Sequence, residues 1–77
     1  MMDVVLPDLG EDAGESAKVT FWYFKVGDAV KEGEDLVEMM TDKATFNVPS
    51  PASGTLKEIR AAESEDVNVG DVLGVIE

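Results

Sequence analysis

Val37-Glu38-Met39-Met40-Thr41-Asp42-Lys43-Ala44-Thr45-Phe46-Asn47-Val48-Pro49-Ser50-Pro51 reads as two β-strands joined by a tight hairpin. Apolar and β-branched residues flank a short polar centre, Thr41-Asp42-Lys43-Ala44, and that contrast marks strand, turn, strand. An aspartate early in a turn can accept hydrogen bonds from backbone N–H groups two residues on, so Asp42 is expected to fix the bend. Lys43 then stands at or beside the tip, its four-carbon stem in water.

Outward from this hairpin the pattern stays β. Short runs rich in valine and aromatics predict strands near Val4–Leu6, Ala17–Phe24, Ala29–Val30, Asp35–Thr41, Ala44–Pro49, Thr55–Arg60, Asp66–Val67 and Val72–Ile76. Gly27-Asp28, Glu32-Gly33-Glu34, Ser53-Gly54 and Val69-Gly70-Asp71 supply the turn chemistry between them. No stretch holds a helical period, so no helix of consequence is expected.

The chain also repeats. Shifted by 37 residues, Val30, Gly33 and Leu36 fall on Val67, Gly70 and Leu73, while Ser16, Val19, Trp22 and Met39 fall on Ser53, Leu56, Ile59 and Ile76. Such a repeat predicts two similar halves about a pseudo-twofold axis, each contributing a sheet to one core. One spacing resists simple alternation: Val19 and Trp22, like Leu56 and Ile59, are three apart and would face opposite sides of a flat strand. If all four are core, each strand must bulge, near Thr20–Phe21 and Lys57–Glu58. In Phe21-Trp22-Tyr23-Phe24 the four rings cannot all point inward, and one or two are expected to lie partly exposed.

Composition narrows the function. Seventy-seven residues make one small domain, with one core and little room for an enclosed active site. Cysteine and histidine are absent, which removes disulfides, the usual nucleophile–base pairs and the commonest metal ligands, so neither catalysis by the chain's own side chains nor a metal is expected. A net charge of −11 opposes nucleic acid, since the phosphate contribution would be repulsive. No apolar run approaches the roughly 20 residues of a membrane span, so no membrane partner is expected, and the start lacks the basic and apolar regions of a signal peptide.

The chemistry then rests on Lys43. A lysine amine is a good amide-forming nucleophile once deprotonated, and its flexible stem makes a long lever. A hairpin tip on a rigid sandwich would show it to several enzymes in turn. By itself, however, a turn lysine is ordinarily a solvated surface residue, and with four other lysines in the chain spacing does not single this one out.

The whole sequence resembles the lipoyl domains of the 2-oxo acid dehydrogenase acyltransferases (E2 chains). Four segments carry the resemblance: Leu6-Pro7-Asp8-Leu9-Gly10-Glu11, Trp22 through Val26-Gly27-Asp28, Thr41-Asp42-Lys43-Ala44, and Pro49-Ser50-Pro51 leading to Gly54. It implies an all-β fold, a flattened β-barrel (barrel-sandwich hybrid) of two four-stranded sheets with quasi-twofold symmetry. It implies lipoic acid joined covalently to Lys43 by a lipoyl ligase or transferase, with Asp42 and Ala44 presenting the lysine. The arm would be reductively acylated by a thiamine diphosphate decarboxylase (E1), would pass the acyl group to coenzyme A in the E2 catalytic core, and would be reoxidised by the flavin enzyme dihydrolipoamide dehydrogenase (E3). The loop from Asp8 to Ser16, and within it Asp8, Leu9, Gly10, Glu11 and Asp12, becomes the candidate decarboxylase contact. The isolated domain is expected to be a monomer, in the cytoplasm of a bacterium or the mitochondrial matrix of a eukaryote, and to be the N-terminal domain of a longer acyltransferase.

Two departures touch partner choice: Met40 where relatives often carry Glu, and an early loop, Glu11 to Ser16, unlike the commoner Gly- and Glu-rich version. Within the same fold, a biotinyl carrier is the nearest rival; those domains usually set the lysine between methionines, whereas Lys43 lies between Asp42 and Ala44. A glycine-cleavage H protein is longer. An unmodified barrel-sandwich interaction module would need no lysine at the turn.

Overall fold

The computed structural model describes residues 1–8 and 15–77. Eight strands follow one another: β1 (Met2–Val5), β2 (Ser16–Trp22), β3 (Ala29–Val30), β4 (Asp35–Met40), β5 (Thr45–Pro49), β6 (Gly54–Ile59), β7 (Asp66–Asn68) and β8 (Val72–Ile76). They form two four-stranded antiparallel sheets, β1-β8-β6-β3 and β5-β4-β2-β7, and no helix occurs among the described residues. The eight strands expected from sequence are all present. The main difference is the end of β2, which stops at Trp22 as the chain bends at Tyr23 and Phe24.

The repeat governs the topology. Shifted by 37 residues, β2, β3 and β4 become β6, β7 and β8, and exchanging β5 with β1 as well converts one sheet order into the other. The halves do not each form a sheet, however. β3 leaves the first half to pair with β6, and β7 leaves the second to pair with β2. The exchange caps an edge of each sheet with a short strand from the other half, so that neither β2 nor β6 presents a bare edge.

Hydrogen bonds repeat along with the strands. The Gly27 amide donates to the Leu56 carbonyl at 2.7 Å, and the Ser64 amide donates to Val19 at 2.7 Å, each partner displaced by the same shift. The bulges sit where the spacing required. Val19 opposes Met39 and Phe21 opposes Glu38, leaving Thr20 unpaired; Leu56 opposes Ile76 and Glu58 opposes Val75, leaving Lys57 unpaired. The extra residue lets Val19 and Trp22 both turn inward. On the Thr20 side, the hydroxyl points to the Glu38 carbonyl at 3.0 Å and to its carboxylate at 2.7 Å.

The core lies between the sheets and is built from repeat mates: Val19 with Leu56, Val30 with Val67, Leu36 with Leu73, Met39 with Ile76, all buried. Truncating one of the leucines to alanine removes its burial and leaves a void, at roughly 3 kcal/mol. Trp22 and its mate Ile59 break the symmetry. The indole is 8% exposed, donates from Nε1 to the Ala61 carbonyl at 2.7 Å, and occupies the space over Gly74, where a Cβ would come within 3.1 Å of its ring.

Candidate functional site

β4 and β5 pair from Val37 opposite Val48 to Met40 opposite Thr45, and the chain reverses through Thr41-Asp42-Lys43-Ala44. The Thr41 amide donates to the Ala44 carbonyl at 2.8 Å, closing a four-residue turn with Lys43 third. The Thr41 hydroxyl lies 3.2 Å from the amides of Lys43 and Ala44 and from the Ala44 carbonyl, so one side chain ties both ends of the bend. This corrects the expectation that Asp42 would do so. The first residue of a turn is the one whose side chain reaches the amide two positions on, and that residue is Thr41. Asp42, second in the turn, is exposed, as is Ala44.

Lys43 is exposed as well, and neither ion pair among the described residues, Lys57–Glu77 at 3.2 Å or Arg60–Glu58 at 3.0 Å, involves it. Its amine therefore stands in solvent on a stem rooted in a hydrogen-bonded turn. The rest of the hairpin is anchored by Val37, Met39 and Val48 in the core, with Phe46 half-buried against it. The pseudo-twofold exchanges this hairpin with the pairing of β1 and β8, where Met2 opposes Ile76, so the chain's two ends occupy the equivalent place in the other sheet.

A shallow groove runs along one side of the turn, lined by Ser16, Ala17, Lys18, Met40, Thr41, Asp42 and Asp66. Ser16 in this groove puts the end of the early loop beside the hairpin. Asp8 is exposed; the other candidate contacts, Leu9, Gly10, Glu11 and Asp12, lie outside the described residues. Met40 points outward, 41% exposed, opposite Lys18 on one side and Thr45 on the other. No cluster of acidic side chains that could hold a metal ion occurs among the described residues. Among the described residues the site is a display on an open surface, with the shallow groove beside it.

A family model described as "Biotin-requiring enzyme" matches residues 2–76. The chain belongs to the biotin/lipoyl domain family. Its relatives in that family include the acetyltransferase component of the pyruvate dehydrogenase complex of Acholeplasma laidlawii, 43% identical over 77 residues. The succinyltransferase component of the 2-oxoglutarate dehydrogenase complex of Bartonella vinsonii subsp. berkhoffii is 47% identical over 75 residues. The matches cover 100% and 97% of this domain but only 14% and 18% of those proteins. The solution structure of the lipoyl domain of the Azotobacter vinelandii 2-oxoglutarate dehydrogenase complex superposes with a TM-score of 0.78 at 32% identity, covering 100% of this domain and 96% of that one. The urea carboxylase of Kluyveromyces lactis shares the fold over 94% of this domain and 7% of that chain, with a TM-score of 0.74 at 22% identity. The resemblance read from the four sequence segments thus holds: this is a lipoyl-type domain, similar to those of the acyltransferase components, in the flattened two-sheet fold.

Sequence reasoning overlooked Thr41. Threonine suits the bend as a side-chain acceptor, but the neighbouring aspartate suits it equally, so local sequence does not rank the two.

Proposed function

We propose that this domain is a non-catalytic swinging-arm carrier of a 2-oxo acid dehydrogenase complex, with lipoic acid joined in amide linkage to Lys43. The observation that carries the reading is the presentation of Lys43: exposed, unpaired among the described residues, and third in a hydrogen-bonded turn at the end of two core-anchored strands. Lys43 would hold the lipoic acid, and the group would supply a redox-active dithiolane able to carry an acyl group between a thiamine diphosphate decarboxylase, coenzyme A at the acyltransferase core and a flavin enzyme.

The chain's own residues contribute placement. Thr41 holds the turn, so a modifying enzyme meets the Lys43 amine in one geometry rather than many. Asp42 and Ala44 flank it without covering it: a small side chain on one side and a solvated carboxylate on the other leave the stem free to enter an enzyme's channel. The stiff sandwich then keeps a long lever on a short base, and tethering raises the local concentration of the cargo at each station. Lipoate is favoured over biotin because Lys43 lies between Asp42 and Ala44 instead of between methionines. The domain would be one carrier unit within a longer acyltransferase chain.

The carrier step has a direct test. Lipoylated domain is mixed with the decarboxylase, thiamine diphosphate and a 2-oxo acid, and its intact mass is followed. The expected result is a gain of one acyl group and one hydrogen, the acyl on one sulfur and the proton on the other, absent from Lys43→Gln. A lipoylated domain left unacylated by each of pyruvate, 2-oxoglutarate and branched-chain 2-oxo acids, with its cognate decarboxylase, would refute the carrier role.

A further inference from the structure

Away from the hairpin, exposed apolar side chains gather at one place. Phe21 is 48% exposed, Tyr23 44% and Val26 57%, and all three line an open groove with Phe24, Lys25 and Glu63. The two rings meet edge to face, centroids 5.2 Å apart at 85°. The Tyr23 hydroxyl donates to Asn47 Oδ1 at 3.2 Å, and Asn47 Nδ2 donates to Asp35 Oδ2 at 3.1 Å, so hydrogen bonds reaching across to β5 and β4 hold the tyrosine in place.

Rings fixed in this way have already lost the freedom that binding would otherwise remove, and aromatic anchors of this kind dominate protein interfaces. The bulge explains why they face outward: once it turns Trp22 in, its neighbours on either side turn out. Around the rings stand carboxylates, with Glu38 directly opposite Phe21, Asp35 at the end of the hydrogen-bond chain and Glu63 in the groove, against Lys25 as the lining base. A second copy is a poor occupant, because two chains of net charge −11 repel.

We propose that this aromatic face is a docking surface for a protein that offers an apolar patch ringed by arginine and lysine, gripping the domain while leaving Lys43 free. The geometry permits both at once. Phe21 lies opposite Glu38 and Tyr23 bonds to Leu36, three and five residues before Thr41, which at about 3.4 Å per residue is roughly 10–17 Å from the turn. Partners that modify or load the lysine must meet the tip; a partner held here need not compete with them.

The test uses the isolated domain, whose core closes within its 77 residues. Isotope-labelled domain is titrated separately with purified decarboxylase, flavin enzyme and acyltransferase core of its own complex, a choice of probes that rests on the carrier reading. The expected result is that one of them shifts the resonances of residues 21–26 and 63. Its dissociation constant should rise roughly tenfold or more in the Phe21→Ser/Tyr23→Ser double variant, and rise similarly in about 0.5 M salt. Tyr23→Phe, which keeps the ring, should weaken binding less than about threefold, and the double variant should be lipoylated at the wild-type rate. The docking surface is refuted if none of the three binds, if binding perturbs only the hairpin and is unchanged in the double variant, or if the domain self-associates through this face. Lipoylation of Lys43, read in parallel, keeps a failure of the carrier reading distinct from a failure of this one.

Discussion

Residues 16–40 and 53–77 trace nearly the same path with different side chains. In the first stretch, the turn after the bulged strand bends at Gly27, with φ of 99°; in the second it bends at Ser64, with φ of 74°. In the first, Trp22 and Val37 are the mates of Ile59 and Gly74 in the second. The backbone hydrogen bonds and bulges survive these changes, so they are what the fold demands. Side-chain volume is exchanged across the axis: the large indole on one half sits where the other half has given up its Cβ.

The sharpest way to break this comparison is to impose the symmetry. Gly74→Val, which copies Val37, would put a Cβ within 2.7 Å of the Glu58 carbonyl and 3.1 Å of Trp22. It should cost about 3 kcal/mol in urea unfolding, the severe end of overpacking. A cost below about 1 kcal/mol would mean that the two halves are not locked to each other at this point. Trp22→Ile, which copies Ile59, should cost somewhat less, about 2.5 kcal/mol, from lost volume and the lost bond to Ala61. Combined with Gly74→Val it should cost less than the sum, because removing the indole relieves one of the two clashes; strict additivity would contradict the packing argument.

Smaller effects sharpen the comparison at the turns. Ser64 holds a left-handed conformation that its mate meets with glycine, so Ser64→Gly should stabilise by about 0.5–1 kcal/mol and Gly27→Ala should destabilise by about 1 kcal/mol. Melting temperatures moving in the same direction for both would overturn the account of these turns. Smallest is Lys43→Gln, which should alter stability by no more than about 0.5 kcal/mol, since nothing among the described residues pairs with that amine.

Sequence carried most of this architecture because repeat, turn glycines and alternation are local signals. The bulges could be placed from the spacings of Val19 to Trp22 and Leu56 to Ile59, read with the repeat. Strand exchange could not: β3 and β7 span two and three residues, too few to say which sheet they join. At the site, the exposure of Lys43 was legible from a polar centre between apolar strands, while its choice among five lysines came from the resemblance. The share of Thr41 was not, since aspartate and threonine both suit the bend and only the order of backbone atoms decides between them. The bond from Tyr23 to Asn47 joins residues 24 apart and leaves no trace in local pattern.

The central claim is that one amine is displayed for loading. Incubating the domain with lipoyl ligase, ATP and lipoate, and measuring intact mass with peptide mapping, tests it most directly. The account predicts a single lipoyl amide at Lys43, none in Lys43→Gln, and a change in net charge from −11 to −12 as one of six bases is neutralised against seventeen acids. Lipoyl groups on Lys18, Lys25, Lys31 or Lys57, no modification, or efficient modification by a biotin ligase instead would contradict it.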